Sequence, residues 1–237
     1  MQLPLFEVPS DWSPPDLASL PSWKGAGRVA IDTETYDPHL KQTGPSVRSG
    51  GHIAGFCFAI EGGPRHYLPV RHAGGGNMDL EPVYNYMREQ LKHFDGELVG
   101  AHLAYDLDWL WADGLYTPQV KAYRDVLIAE PCINENKFFY SLDSVAKDWL
   151  GEQKEKKLML EAARSYGMRK DDELGAYIHL LPSKYVGAYG EQDVALPLKI
   201  LRLQEEEIER QKIREVWDLE SQVLPVLVKM RQRGVRV

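Results

Sequence analysis

Cysteine is almost absent: Cys57 and Cys132 are the only two in 237 residues. They lie far apart, with no Cys or His nearby at metal-ligand spacing, which argues against a disulfide or a zinc site and predicts buried, reduced thiols. Long apolar runs are missing too. None approaches the ~18 residues of a membrane span, and residues 1–12 lack both the basic start and the apolar stretch of a signal peptide. The expectation is a cytoplasmic protein without a membrane partner. A basic excess is also lacking: 28 Lys and Arg stand against 35 Asp and Glu, a formal net charge of −7. That balance argues against a protein that grips nucleic acid by bulk electrostatics. It remains compatible with a carboxylate site neutralised by divalent cations that then contact phosphate. No internal repeat is present.

What is there is ordinary globular composition, 43% hydrophobic and 27% charged, sufficient for one main domain. Pro4, Pro9, Pro14, Pro15 and Pro21 mark residues 1–27 as an extended arm laid on the surface. Apolar patterning then predicts strands at 28–32, 52–60 and 65–70, with connections too short for helices, so the three should be antiparallel. A helix at 80–93, a short strand at 97–101, a helix at 105–112 and a strand at 120–123 follow. The remainder reads as helices at 126–133, 142–150, 158–166, 189–210 and 217–233. The fold class is therefore α/β, a mixed sheet packed by helices, as in the ribonuclease H-like architecture. Two loops, 37–51 with Lys41 and Arg48 and 71–77 with three consecutive glycines, read as mobile surface loops whose basic residues could touch a substrate.

Three motifs carry chemistry. Val29-Ala-Ile-Asp-Thr-Glu-Thr35 is an apolar strand ending in two acids, and strand alternation puts Asp32 and Glu34 on one face. Like charges that close are poor packing but suit a hard cation. Taken alone, exposed acids at a strand end explain them as well. Leu98-Val-Gly-Ala101 runs into His102-Leu-Ala-Tyr-Asp106, placing Asp106 in a helix's first turn, where the helix dipole alone also favours an acid. Asp108 is expected on solvated surface. Tyr189-Gly-Glu-Gln-Asp193 puts a phenol and a carboxylate on one helix face at i, i+4, which in isolation is a surface hydrogen bond. Asp125 and Asp143 sit at or near helix starts and read as caps. Lys154, Lys156, Lys157, Arg164, Arg169 and Lys170 form a loose basic cluster, accounted for equally by a solvated helix face and by a phosphate track.

In that order the three motifs resemble the DEDD exonucleases, and the tyrosine places the resemblance with the DEDDy subgroup. Tyr140-Ser-Leu-Asp-Ser-Val-Ala146 with Trp149-Leu-Gly151 is similar to the helix that precedes the third motif in proofreading domains of family A DNA polymerases. The resemblance implies a metal-dependent 3′→5′ exonuclease acting on DNA, with two divalent ions, Mg²⁺ or Mn²⁺. On this likeness Asp32 bridges both ions, Glu34 and Asp193 complete the first site, Asp106 holds the second, and Tyr189 with Glu34 orients the attacking water. Thr33, His102, Tyr105 and Tyr166 are implied substrate contacts, Pro38 more weakly. The family commonly has asparagine where His102 stands.

The implied partners are single-stranded or frayed DNA 3′ ends and a polymerase domain. Residues 28–212 would form the exonuclease domain. Residues 213–237 form a C-terminal helix, in which Leu219-Glu-Ser-Gln-Val-Leu224 through Met230-Arg-Gln-Arg-Gly-Val235 resembles the start of a polymerase domain. Met1-Gln-Leu-Pro-Leu-Phe6 with Trp12 resembles the start of a phage polymerase. The chain is thus expected to be the proofreading piece of a larger phage-type enzyme, phage-encoded or bacterial, without polymerase activity of its own. Two rivals remain open: a 3′→5′ exoribonuclease of the RNase D type, and a nuclease fold used only for binding or structure.

Overall fold

The computed structural model describes residues 7–45, 47–168 and 177–234; Arg169 and Lys170 of the basic cluster, Met1–Phe6 and Val235–Val237 lie outside them. Five strands form one mixed sheet: β1 (Arg28–Tyr36), β2 (His52–Ile60), β3 (Arg65–Pro69), β4 (Glu97–Gly100) and β5 (Ala122–Asp125), in the order β3-β2-β1-β4-β5. The first three pair antiparallel and β1-β4-β5 run parallel, as the short and long connections require. Among the described residues the α-helices are α1 (Leu40–Thr43), α2 (Leu80–His93), α3 (Leu103–Ala112), α4 (Val126–Ile133), α5 (Leu142–Leu150), α6 (Lys157–Ser165), α7 (Gly187–Gln211) and α8 (Arg214–Arg233).

Strand alternation divides the core in two. Ala30, Cys57, Ala59, Tyr67 and Val99 face one layer with α4, α5, α6 and α7. Val29, Ile31, Phe56, Phe58, Leu68 and Leu98 face the other, with α2, α3 and α8. Trp23, from before β1, is fully buried against Phe58 and Phe94, so the N-terminal arm is anchored in the core rather than only laid over it. Trp12 packs on Tyr67 and donates from Nε1 to Glu191.

Several elements depart from expectation. β1 continues to Tyr36, well past Asp32, because β2 goes on pairing with it through a bulge between Glu34 and Thr35. The strand expected at 120–123 lies two residues later. The 71–77 loop is docked: His72 is 3% exposed, its Nδ1 lies 2.8 Å from the Leu181 carbonyl, and the Ala73 N–H donates to the His179 carbonyl at 2.8 Å. Asp108 is 1% exposed rather than on the surface, because α8 covers α3. Gln232 Nε2 donates to its Oδ1 at 3.0 Å and to its carbonyl at 3.1 Å.

Helix α7 crosses the sheet at Gly190, where an added Cβ would stand 2.6 Å from Cys57 Sγ and 3.4 Å from Tyr67 Cδ2. The missing side chain therefore sets how closely the helix carrying Tyr189 and Asp193 approaches β1 and β2. Gly190→Ala should cost about 1–3 kcal/mol through overpacking, measured by urea unfolding. Adding Cys57→Ala should recover at least half of that loss, because it removes the nearest clashing atom. Strictly additive effects of the two changes would show that the contact does not set the spacing.

Candidate active site

The cleft follows from sheet topology. β1 and β4 pair only as far as Ala30 and Val99, and β4 ends at Gly100, so β1 runs on past its parallel neighbour. Beyond the carboxyl end of β4, beside a strand that continues, a crevice opens, as it does at the switch points of open α/β sheets. The cavity there has a volume of about 740 Å³, and its lining includes Asp32, Thr33, Glu34, His102, Tyr105, Asp106, Tyr189, Asp193 and Arg231.

Each carboxylate has a local reason for its place. Asp32 and Glu34 share the face of β1 that looks towards α7, opposite Cys57, whose Sγ and the two carboxylates offer ligand atoms within 4.8 Å of one another. Asp106 reaches the cleft from the first turn of α3. Its Oδ1 accepts from the Thr33 N–H at 2.8 Å and from Thr33 Oγ1 at 2.7 Å, which fixes its rotamer from the strand. The start of α3 is held by Asp125, whose Oδ2 accepts from Leu103 N–H at 2.7 Å while Oδ1 caps α4 through Leu127 N–H at 2.8 Å. Asp125 is a cap, as expected. Asp143 is not: Ser141 caps α5, and Asp143 pairs with Lys156. Asp193 and Tyr189 come from α7, one turn apart. Lys154 lies against both, with Nζ 2.7 Å from Asp193 Oδ2 and 3.3 Å from the Tyr189 hydroxyl.

Burial dominates the electrostatics. Desolvation and then the Asp193 charge raise Asp32 from 3.8 to about 7, with Lys154 opposing. Desolvation also holds Glu34 and Asp106 well above the usual carboxylate range, each pushed further by the charge of Asp32. Asp193 is raised by burial against the pull of Lys154. Burial and the same carboxylates keep the Tyr189 phenol and the Cys57 thiol protonated. Asp193 Oδ1 is buried without a hydrogen-bond partner. An all-carboxylate donor set, mutual repulsion and an unsatisfied inward oxygen fit a hard divalent cation such as Mg²⁺ or Mn²⁺, whereas a protonated thiol does not ligate one.

The cleft therefore gathers Asp32, Glu34, Asp106, Tyr189 and Asp193, with Thr33, His102 and Tyr105 on its walls. Thr33 contributes through its hold on Asp106. The Tyr105 hydroxyl donates to Asp37 at 3.0 Å and accepts from Thr35 Oγ1 at 2.6 Å, pinning the ring at the cleft. Tyr166 is not part of the lining; it is buried edge-on to Tyr185 in the core beneath. Sequence reasoning passed over three neighbours. Cys57 was legible only through its register opposite Asp32, Lys154 was lost among a run of lysines, and Arg231 comes from α8 with no motif to flag it.

The fold is ribonuclease H-like, the fold that DEDD exonucleases share. Among solved structures, NrnC of Brucella melitensis with bound Mg²⁺ has this fold, at a TM-score of 0.61 with 13% identity, covering 91% of this chain and 90% of that one. By sequence the relatives are phage DNA polymerases. The chain is 49% identical over 240 residues to a DNA-directed DNA polymerase of Pseudomonas phage M6, covering 100% of this chain and 36% of the relative. It is 28% identical over 222 residues to DNA polymerase DpoZ of Salmonella phage PMBT28, covering 93% of this chain and 33% of the relative. The chain thus spans about a third of the length of these curated relatives. No family model matches it. Among the described residues, no helix is long and apolar enough to cross a membrane.

The raised carboxylates make a signed prediction. Without metal, folded Asp32 has a pKa near 7 against 3.8 unfolded, so between those values the folded chain binds more protons than the unfolded one. The associated stability is fully present below the unfolded pKa and is lost as pH rises through the folded one; Glu34, Asp106 and Asp193 shift in the same sense. In chelator the Tm should fall from about pH 5 to about pH 8, Asp32→Asn should flatten the fall, and the Tm gain on adding Mg²⁺ should grow with pH. A chelated Tm that rises over this range, with the variant tracking wild type, would contradict the assignment.

Proposed function

We propose that this chain is the metal-dependent 3′→5′ exodeoxyribonuclease part of a phage-type DNA polymerase, removing nucleoside 5′-monophosphates from DNA 3′ ends. The observation that carries this reading is the convergence of Asp32, Glu34, Asp106 and Asp193, from β1, α3 and α7, on one cleft beside Tyr189. The sequence kinship with phage DNA polymerases and the solved structure of the same fold that holds Mg²⁺ support it. On this reading residues 28–212 are the nuclease and the helix from 213 onward leads towards a polymerase domain.

Asp32, Glu34 and Asp193 would hold one divalent ion, and Asp32 with Asp106 a second. Such a pair supplies Lewis-acid chemistry, making water a nucleophile near neutral pH and stabilising the departing 3′ oxygen. The chain's own residues do the rest. Tyr189, held protonated by burial and by Asp193, acts as a donor that orients the attacking water rather than as a base. Glu34 sits beside Asp32 on the same strand face and accepts from that water. Thr33 fixes Asp106 with two hydrogen bonds, so little reorganisation is needed when a strand enters. The Tyr105 ring and the backbone at His102 form the wall on which a terminal nucleotide rests. Arg231 supplies a cation at the rim for a neighbouring phosphate; it lies 3.5 Å from Asp108, which with Gln232 positions the end of α8. A paired terminus must melt before its last phosphate reaches the carboxylates, so frayed or mismatched ends should be preferred.

The assay is degradation of labelled single strands of DNA and of RNA with Mg²⁺, Mn²⁺ or chelator. Metal-dependent shortening of DNA from its 3′ end is expected; shortening of RNA alone would make the chain an exoribonuclease instead, and shortening of neither would leave a binding module. Asp32→Ala and Asp193→Ala should each lower the rate by ~10³-fold or more, and Tyr189→Phe by roughly ten- to a hundredfold. Arg231→Ala should weaken single-strand binding and reduce its salt slope by about 0.7, one phosphate contact. An unchanged slope would remove Arg231 from the substrate path.

A further inference from the structure

Lys154 stands where a cation is wanted. Its Nζ is 2.7 Å from Asp193 Oδ2, 3.3 Å from the Tyr189 hydroxyl and 4.9 Å from the centre of the Tyr189 ring, with the side chain 10% exposed. Its charge also reaches Asp32 and Glu34. A long, flexible lysine is costly to bury and order, and the chain around it is fastened to α7 on both sides. Glu152 pairs with Lys199 at 2.9 Å, the Gln153 carbonyl accepts from Gln192 Nε2 at 3.4 Å, and the Glu155 N–H donates to Gln192 Oε1 at 2.7 Å. The segment between α5 and α6 has no regular structure of its own, and these ties deliver one ammonium to one carboxylate. The other oxygen of that carboxylate, Asp193 Oδ1, is buried and unpartnered.

We propose that Lys154 is the cleft's tethered counter-cation, holding Asp193 and Tyr189 in place while no divalent ion is bound and releasing Asp193 when one binds. The proposal rests on the metal-dependent reading of this same site. An ammonium and a divalent ion cannot both take the Asp193 carboxylate at short range without repelling each other. Binding of the ion is therefore an exchange, and its apparent affinity is reduced by the population in which the lysine occupies the site. Lys154 is a positioning residue in these terms. It keeps Asp193 and Tyr189 from splaying apart, at the cost of weaker metal binding. The four methylenes of its side chain let Nζ move aside without disturbing the fastened backbone.

The experiment is Mn²⁺ titration of the full 237-residue chain without nucleic acid, by calorimetry, for wild type, Lys154→Met and Lys154→Arg, together with melting in chelator. Lys154→Met should bind Mn²⁺ about three- to tenfold more tightly and melt at a lower temperature in chelator. Lys154→Arg, which keeps the charge, should stay close to wild type in both. A merely structural lysine would lower the melting temperature without tightening metal binding. Should Lys154→Met fail to fold, the ε-carbon NMR resonance of Lys154 in wild type replaces it. That resonance should shift and sharpen as Mg²⁺ is added, and an unperturbed resonance would overturn the proposal. Unchanged or weaker Mn²⁺ affinity in Lys154→Met, or tightening in Lys154→Arg equal to that in Lys154→Met, would also overturn it. Wild type and Lys154→Met both failing to bind Mn²⁺ would sink the metal-dependent reading as well. Mn²⁺ binding that follows the predicted order in a chain without exonuclease activity would sink only the nuclease reading.

Discussion

Like charges held out of water repel more strongly than they do at a surface, because little dielectric screening is left between them. The cleft imposes this on Asp32, Glu34, Asp106 and Asp193, which are placed by three separate elements, so no local rearrangement relieves all four. Much of the surrounding structure makes that arrangement tolerable. Two donors from Thr33 satisfy one oxygen of Asp106, and Lys154 offsets part of the charge on Asp193. Burial itself offers the remaining relief, by favouring protonation of Asp32 towards neutral pH.

The arrangement persists because the scaffold on either side is stiff. One apolar layer packs α7 down onto the sheet with Gly190 against Cys57, and the other clamps α3 between the sheet and α8. A half-buried ionic cluster joins these layers at the sheet's far end: Arg124 pairs with Glu97 and Asp218, and Arg28 with Glu97 and Glu205. Carboxylates held this way need little reorganisation when a cation arrives, and that preorganisation is what electrostatic catalysis draws on.

The pairings of the acids were legible because they depend on local periodicity alone. Two residues along a strand return Glu34 to the face of Asp32, and four along a helix return Asp193 to that of Tyr189, whatever surrounds them. Long-range packing was not legible. Polar residues end the apolar pattern of β1 at Ile31, yet pairing with β2 carries the strand to Tyr36. Asp108 reads as solvated until α8, more than a hundred residues later in sequence, is laid over it. Lys154 looks like one of several surface lysines, and only the docking of its segment on α7 removes it from water. The 71–77 loop looks mobile because glycines permit mobility, and the 178–185 segment that holds it leaves no local trace.

His102 carries a consequence of its own. Its backbone is left-handed, with φ 69° and ψ 32°, at the junction where β4 gives way to α3 and Asp106 is aimed into the cleft. Residues that enter this region at little cost are glycine, asparagine, aspartate and, among the larger ones, histidine, whereas β-branched side chains are all but barred. Histidine in place of the asparagine common in the resembling family is therefore an exchange within a conformational class. The turn screens replacements by shape before any contact across the cleft is weighed. Variation at this corner is thus governed first by handedness, and the functional group displayed at the cleft wall can change while the aim of the neighbouring carboxylate stays untouched.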